Sequence, residues 1–135
     1  MTWNITLSDK QMSVVCRALE NYSRLMMGQI DNALEDFTDL SWSERKSIHD
    51  FARKIIFAEL GSSNAYYSIS SEKIGDNAQI SWDILQVLRQ AVSWHRVGKK
   101  LGEDEREWST MMGVNFDDPF CCNSHPLCKV ERNDG

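Results

Sequence analysis

The stretch Leu7-Ser8-Asp9-Lys10-Gln11-Met12 is a complete helix start. The Ser8 side chain can accept from the backbone N–H of Gln11, and the Gln11 side chain can reach back to the N–H of Ser8. Leu7 and Met12 can close over this pair as a hydrophobic staple. Beyond it, apolar residues recur at Met12, Val15, Leu19, Tyr22, Met26, Ala33, Phe37 and Leu40. Spacings built from threes and fours predict one buried stripe on a helix of roughly 30 residues. Its wide face, with Met26-Met27, is more than two partner helices of about 20 residues readily cover. A homodimer or higher oligomer is therefore expected.

A second start follows directly. Ser41-Trp42-Ser43-Glu44 is another capping box. Ile48, Phe51, Ala52, Ile55, Ile56 and Glu59 then trace a face, and Gly61 is a natural stop. The third helix begins at Gly75-Asp76-Asn77-Ala78-Gln79, with Asp76 as its cap. Its stripe is Ile80, Ile84, Leu85, Leu88, Ala91, Val92 and His95, and Gly98 ends it. A short fourth helix is predicted from Asp104 to Met112, before Gly113. Between the second and third helices lies a Ser/Asn-rich loop containing Tyr66 and Tyr67. No alternating strand pattern is long enough for a sheet. The fold class is all-α: a small bundle of three main helices plus a short fourth, with a helical domain over 1–113 and an irregular tail over 114–135. Both prolines, Pro119 and Pro126, fall in that tail.

Composition narrows the function classes. The chain is 41% hydrophobic and 26% charged, which is globular rather than disordered. Its net charge of -5 argues against a general nucleic-acid binder, which normally carries a basic face. No apolar run approaches the ~18 residues that span a bilayer. Met1-Thr2-Trp3-Asn4 lacks the basic and apolar segments of a signal peptide. The expected compartment is the cytoplasm, where the four cysteines are thiols or ligands rather than disulfides. No phosphate-binding glycine loop, His-Glu-x-x-His or Gly-x-Ser-x-Gly is present, so no enzyme activity is predicted.

Four polar features interrupt this helical pattern. Gln29 falls on the first stripe where an apolar residue is expected, beside Gly28, which permits close approach of a backbone or ligand. Either Gln29 lies at the edge of the stripe or it lines a pocket. Spacings of three and four put Asp83, Gln86 and Gln90 on one flank of the third helix, with Arg89 beside Gln86, Trp82 next to the group and Trp94 continuing it. They are either a solvated face or a ligand surface, where Arg grips an anion and Trp stacks on a flat ring. Tyr66 and Tyr67 offer flat faces and hydroxyls from a loop, although one of them is expected to plug the core. In Cys121-Cys122-Asn123-Ser124-His125-Pro126-Leu127-Cys128, the ligand spacing of Cys122, His125 and Cys128 suits tetrahedral zinc, with Cys121 as an extra ligand. The competing reading is a solvent-exposed, thiol-rich tail. His49 and His95 read as ordinary helix residues.

Tyr22-Ser23-Arg24-Leu25-Met26-Met27-Gly28-Gln29 and Ile80-Ser81-Trp82-Asp83-Ile84-Leu85-Gln86-Val87-Leu88-Arg89 resemble a family of small helical proteins of tailed phages and prophages. That family carries an early Tyr-Ser-Arg-x-x-x-Gly-Gln segment and then a Ser/Asn-x-Tyr loop. A helix of the form acidic-x-Ala-x-Ile-x-Trp-Asp-Ile-x-Gln-Val-Ile-Arg follows. Here one extra residue separates Asp76 from Ala78, and Leu88 replaces the last Ile. The resemblance covers roughly residues 8 to 96 and leaves out the cysteine tail. Its motifs are moderately specific for the family and nearly silent about activity.

The resemblance implies a small phage accessory protein acting in the host cytoplasm against host defences. Its shared positions include Tyr22, Arg24, Gln29, Tyr66 or Tyr67, Trp82, Asp83, Gln86 and Arg89. These form the expected ligand-binding set, with a small anionic ligand of nucleotide type as the thing sequestered. The alternative is a protein–protein interaction module that docks on and modulates a host protein.

Overall fold

The computed structural model describes residues 1–61, 65–96 and 118–133. The molecule is helical, and there is no strand among the described residues. Among the described residues the α-helices are α1 (Asp9–Met26), α2 (Asp31–Leu34), α3 (Trp42–Ile56) and α4 (Asp76–Arg96). Single 3-10 turns at Ala58–Leu60 and Glu72–Ile74 flank the loop between α3 and α4. The predicted fourth helix, over 104–112, lies outside the described residues, as does Gly98. Residues 118–133 carry no regular element.

Both capping boxes form. Ser8 accepts from the Gln11 N–H while the Gln11 side chain accepts from the Ser8 N–H, and Ser41 and Glu44 repeat the exchange at α3. Asp76 is the first residue inside α4 rather than a residue outside it.

The first helix does not run to Leu40. It stops at Met26, because Gly28 adopts φ +91°. The Gly28 N–H donates to Leu25 O (3.0 Å) and the Gln29 N–H to Arg24 O (2.8 Å). These are the two bonds of a Schellman stop, with glycine at the position that needs a left-handed backbone. A Cβ at residue 28 would strain the positive φ and would come within 3.0 Å of Leu60 Cδ1, whose side chain would have to shift. Two further carbonyls at this helix end find partners in other elements. Met27 O accepts from the Tyr67 N–H at 2.8 Å, and Gly28 O from Arg53 Nη1 at 3.3 Å.

The buried line of α1 shifts accordingly. Tyr22 and Met26 turn outward, while Ser23 and Met27 are buried. Ser23 Oγ donates to Ala78 O at 3.0 Å, and Ser81 Oγ donates to Leu19 O at 3.1 Å. Small residues on facing helices let α1 and α4 approach closely, running antiparallel. Past the stop, α2 folds back along α1, where Arg17 bonds Asp36 (3.1 Å) and Asn32 O (2.7 Å). Asn21 ties to both Asp36 and Asn32.

Among the described residues the core includes two small clusters, beside Leu85, Val87, Leu88 and Trp94, which are buried along α4. One is Met27, Ile74 and Ala78; the other is Ile30, Leu34 and Phe57. Tyr67 packs against both, its ring edge-on to Phe57 at 6.5 Å. Of the expected core stripe of α3, Ala52 packs against the second cluster but the large residues do not. His49, Arg53 and Phe57 are buried instead, while Ile48, Phe51, Ile55 and Ile56 are exposed. The loop at Gly61 and the break at Gly28 dock α3 by its polar flank, because Arg53 must reach the carbonyls of Gly28 and Ala65.

Candidate functional site

The Schellman stop places Arg24 and Gln29 side by side. These are the two positions that such a motif usually joins by an apolar contact. Here the contact is polar: Arg24 Nη1 donates to Gln29 Oε1 at 2.8 Å. Arg24 Nε also donates to Glu20 Oε1 at 3.0 Å, one helical turn back. The other Glu20 oxygen lies 3.6 Å from Arg89 Nη2 on α4. Both guanidiniums sit over the Trp82 ring, Arg24 at 5.4 Å and Arg89 at 5.9 Å from its centre. Arg24, Gln29, Trp82 and Arg89 therefore come together, although Trp82 and Arg89 do not line the cleft that Arg24 and Gln29 border. Glu20, which the sequence reading passed over, is the residue that joins them. All three charges are partly buried, and cation–π contacts on a partly desolvated ring hold the guanidiniums in fixed planes.

Arg24 and Gln29 also form one wall of a cleft of about 270 Å³. Asn32, with the acids Asp31 and Glu35, comes from α2, His49 and Arg53 from α3, and Tyr66 from the following loop. Arg53 lies deep, holding the carbonyls of Gly28 and Ala65, and His49 is buried beside it with Nδ1 3.3 Å from Asp50 Oδ1. The carboxylates of Asp31 and Glu35 are exposed. The inner wall is thus cationic and the rim anionic. Arg guanidiniums are suited to a phosphate or carboxylate, and a half-exposed phenol such as Tyr66 can cover a flat ring.

The remaining expected site residues lie elsewhere. Tyr22 is exposed on α1 and does not line the cleft. Tyr67 is a core residue whose hydroxyl donates to Glu59, with the Lys73 ammonium over its ring at 5.8 Å. Gln86 is half-buried on α4 and does not line the cleft either.

Asp83 faces away from Arg89. It is buried, and its carboxylate accepts from the backbone N–H groups of Cys122 (2.8 Å) and Asn123 (3.1 Å). It is the anchor of the tail. Gln79 assists: its carbonyl oxygen accepts from Asn123 Nδ2 at 2.9 Å, and its amide nitrogen donates to Ile69 O and Ser71 O.

The cysteine cluster is drawn into this anchorage. Cys121 Sγ donates to Asn123 O at 2.8 Å, and Cys122 Sγ to Gln79 O at 3.5 Å. Burial, with the Asp83 carboxylate beside it, pushes the Cys122 thiol up to about 12. No group of three His, Cys, Asp or Glu side chains among the described residues is placed to hold a metal ion.

His49 and Arg53 were not legible as site residues. The only signal was their spacing of four, and Ile48, Phe51 and Ile55 gave a stronger periodicity on another face. No protein-family model, no curated protein and no solved structure matches this chain.

Proposed function

We propose that the protein is a small phage accessory binding protein that sequesters a small planar anion of nucleotide type in the cleft between α1, α2 and α3. The observation that carries this reading is the convergence of Arg24, Gln29 and Tyr66 with His49 and Arg53 on one cleft. Arg24 and Arg53 offer cationic groups to a phosphate. Gln29 and Asn32 supply amides that direct a base edge, and Tyr66 covers its face. The volume, about 270 Å³, lies just under the usual ~300–1,000 Å³ of small-molecule sites. A single base with one phosphate suits it better than a dinucleotide does. The phage assignment, the host cytoplasm and a counter-defence role follow from the resemblance of residues 8 to 96.

Calorimetric titration of the full chain with mononucleotides and cyclic mononucleotides tests this. At least one should bind, and Arg24→Ala should weaken it by roughly ten- to a hundred-fold, the range of a hydrogen bond to a charged group. Arg89→Ala should weaken it less, since Arg89 acts on Arg24 through Glu20 and Trp82. Absence of binding across the panel, or an Arg24→Ala variant that binds like the parent, rejects the reading. The docking-module alternative needs an exposed surface, and α3 carries one.

A further inference from the structure

The side chains that line the cleft carry as many acids as bases. Arg24 and Arg53 are its cations, Asp31 and Glu35 its carboxylates, and with His49 neutral the formal charges cancel. Arg24 is moreover paired with Glu20 at 3.0 Å. The signs are segregated rather than mixed. Arg53 is buried, donating to the carbonyls of Gly28 and Ala65, whereas Asp31 and Glu35 are exposed, four residues apart at α2. The Glu35 carboxylate lies 3.9 Å from Arg17, whose closer partner is Asp36 at 3.1 Å. A second groove of about 420 Å³ shares Asp31, Glu35 and His49 and runs along α3 to Trp42. It adds Asp50, Arg45 and Lys46, and both bases are engaged there. Lys46 pairs with Asp50 at 2.7 Å, and Arg45 donates to Phe37 O at 2.9 Å. Negative charge that leaves the cleft on this side therefore meets carboxylates first.

We infer that the cleft selects a ligand with a single negative charge, a phosphodiester such as a cyclic mononucleotide, and that Asp31 and Glu35 reject linear nucleotides carrying more. The inference rests on the nucleotide reading of the cleft and names the charge class within it. A monoanion can lie against the inner guanidiniums. Each further negative charge must give up water without another cation in the walls to replace it. A phosphate monoester carries about -1.5 to -2 at pH 7, and a triphosphate carries more. With Arg53 packed on backbone carbonyls at the inner end, a cleft of about 270 Å³ leaves the outer phosphates of a triphosphate at the mouth. There they stand beside Asp31 and Glu35. A repulsive element at the mouth is one of the ways a site turns away a near relative of its ligand.

Calorimetric titration of the full chain with the cyclic monophosphates, linear monophosphates and triphosphates of the four common ribonucleosides, magnesium omitted, tests this. For a base that binds, the cyclic form should bind best. The linear monophosphate should bind at least ~3-fold and the triphosphate at least ~10-fold more weakly. Asp31→Asn combined with Glu35→Gln should narrow the triphosphate gap by about three- to thirty-fold. Salt raised to about 1 M should narrow it in the parent, because it screens the same charges. Asp39→Asn removes an exposed charge that lines neither groove and should leave the gap unchanged. Circular dichroism checks that the double variant folds, and if it does not, the two single substitutions decide. A triphosphate that binds as tightly as its cyclic counterpart, or a gap that neutralising both carboxylates leaves intact, overturns the inference. If Arg24→Ala still abolishes binding in that case, the cleft reading stands and the charge selection alone fails. No binding anywhere in the panel ends both.

Discussion

Gly28 ends α1 with a backbone angle, φ +91°, that residues with a side chain rarely adopt. Gly28→Ala meets both that strain and the Leu60 methyl at 3.0 Å. It should lower stability by about 1–3 kcal/mol, read as a reduced urea midpoint at unchanged slope. Asp83 makes a second prediction. Burial is the largest cause of the raised Cys122 thiol, and the Asp83 carboxylate is the next. At pH 8 native Cys122 should therefore resist iodoacetamide. Asp83→Asn removes the charge and loosens the tail, so alkylation at Cys122 should quicken severalfold, as measured by peptide mass spectrometry. Equal rates in the two proteins would remove Asp83 from its anchoring role. Of the polar residues that the sequence flags, Arg24, Gln29, Trp82 and Arg89 do converge. Asp83 diverges because side chains six residues apart leave an α-helix about 120° apart, so Arg89 can sit beside Gln86 without facing Asp83.

The starts of α1 and α3 were readable from sequence because a capping box is a local exchange of two hydrogen bonds and needs no tertiary partner. Ser41→Ala removes one such acceptor and should cost about 1 kcal/mol, seen as a fall in melting temperature with the fold retained. The stop of α1 was harder to read. Met26-Met27 and Ala33 continue the apolar period across Gly28, and a lone glycine inside a helical pattern is tolerated. What decides for a stop is the tertiary demand on the freed carbonyls, which Tyr67 and Arg53 meet from elsewhere in the chain. The face of α3 was misassigned for a related reason. Periodicity reports which side of a helix is apolar, not whether that side is the one the chain's own core covers.

Tyr67 joins the two core clusters, its ring against Phe57 and its N–H on Met27 O. A chain of this size is stable by only ~5–15 kcal/mol, so losing a residue that touches both clusters takes a large share of it. Tyr67→Ala should cost about 2–4 kcal/mol. Because the residue touches both clusters, tryptophan fluorescence and far-ultraviolet circular dichroism should report one coincident transition at a lower temperature. Two separated transitions would mean that the clusters unfold independently. The sequence placed a tyrosine of this pair in the core but not which one. The choice is made by the loop, which turns Tyr67 inward by hydrogen-bonding its own backbone to the end of α1 and leaves Tyr66 at the rim of the cleft.

The anchorage of the tail has a consequence for how this protein can vary. Asp83 holds residue 122 through its backbone N–H, a group every amino acid but proline carries. The grip is therefore nearly blind to the letter at position 122. Serine, alanine or valine there would still be held, whereas proline would lose the donor. Descendants of this sequence are free to rewrite that position of the tail so long as the carboxylate on α4 stays where it is.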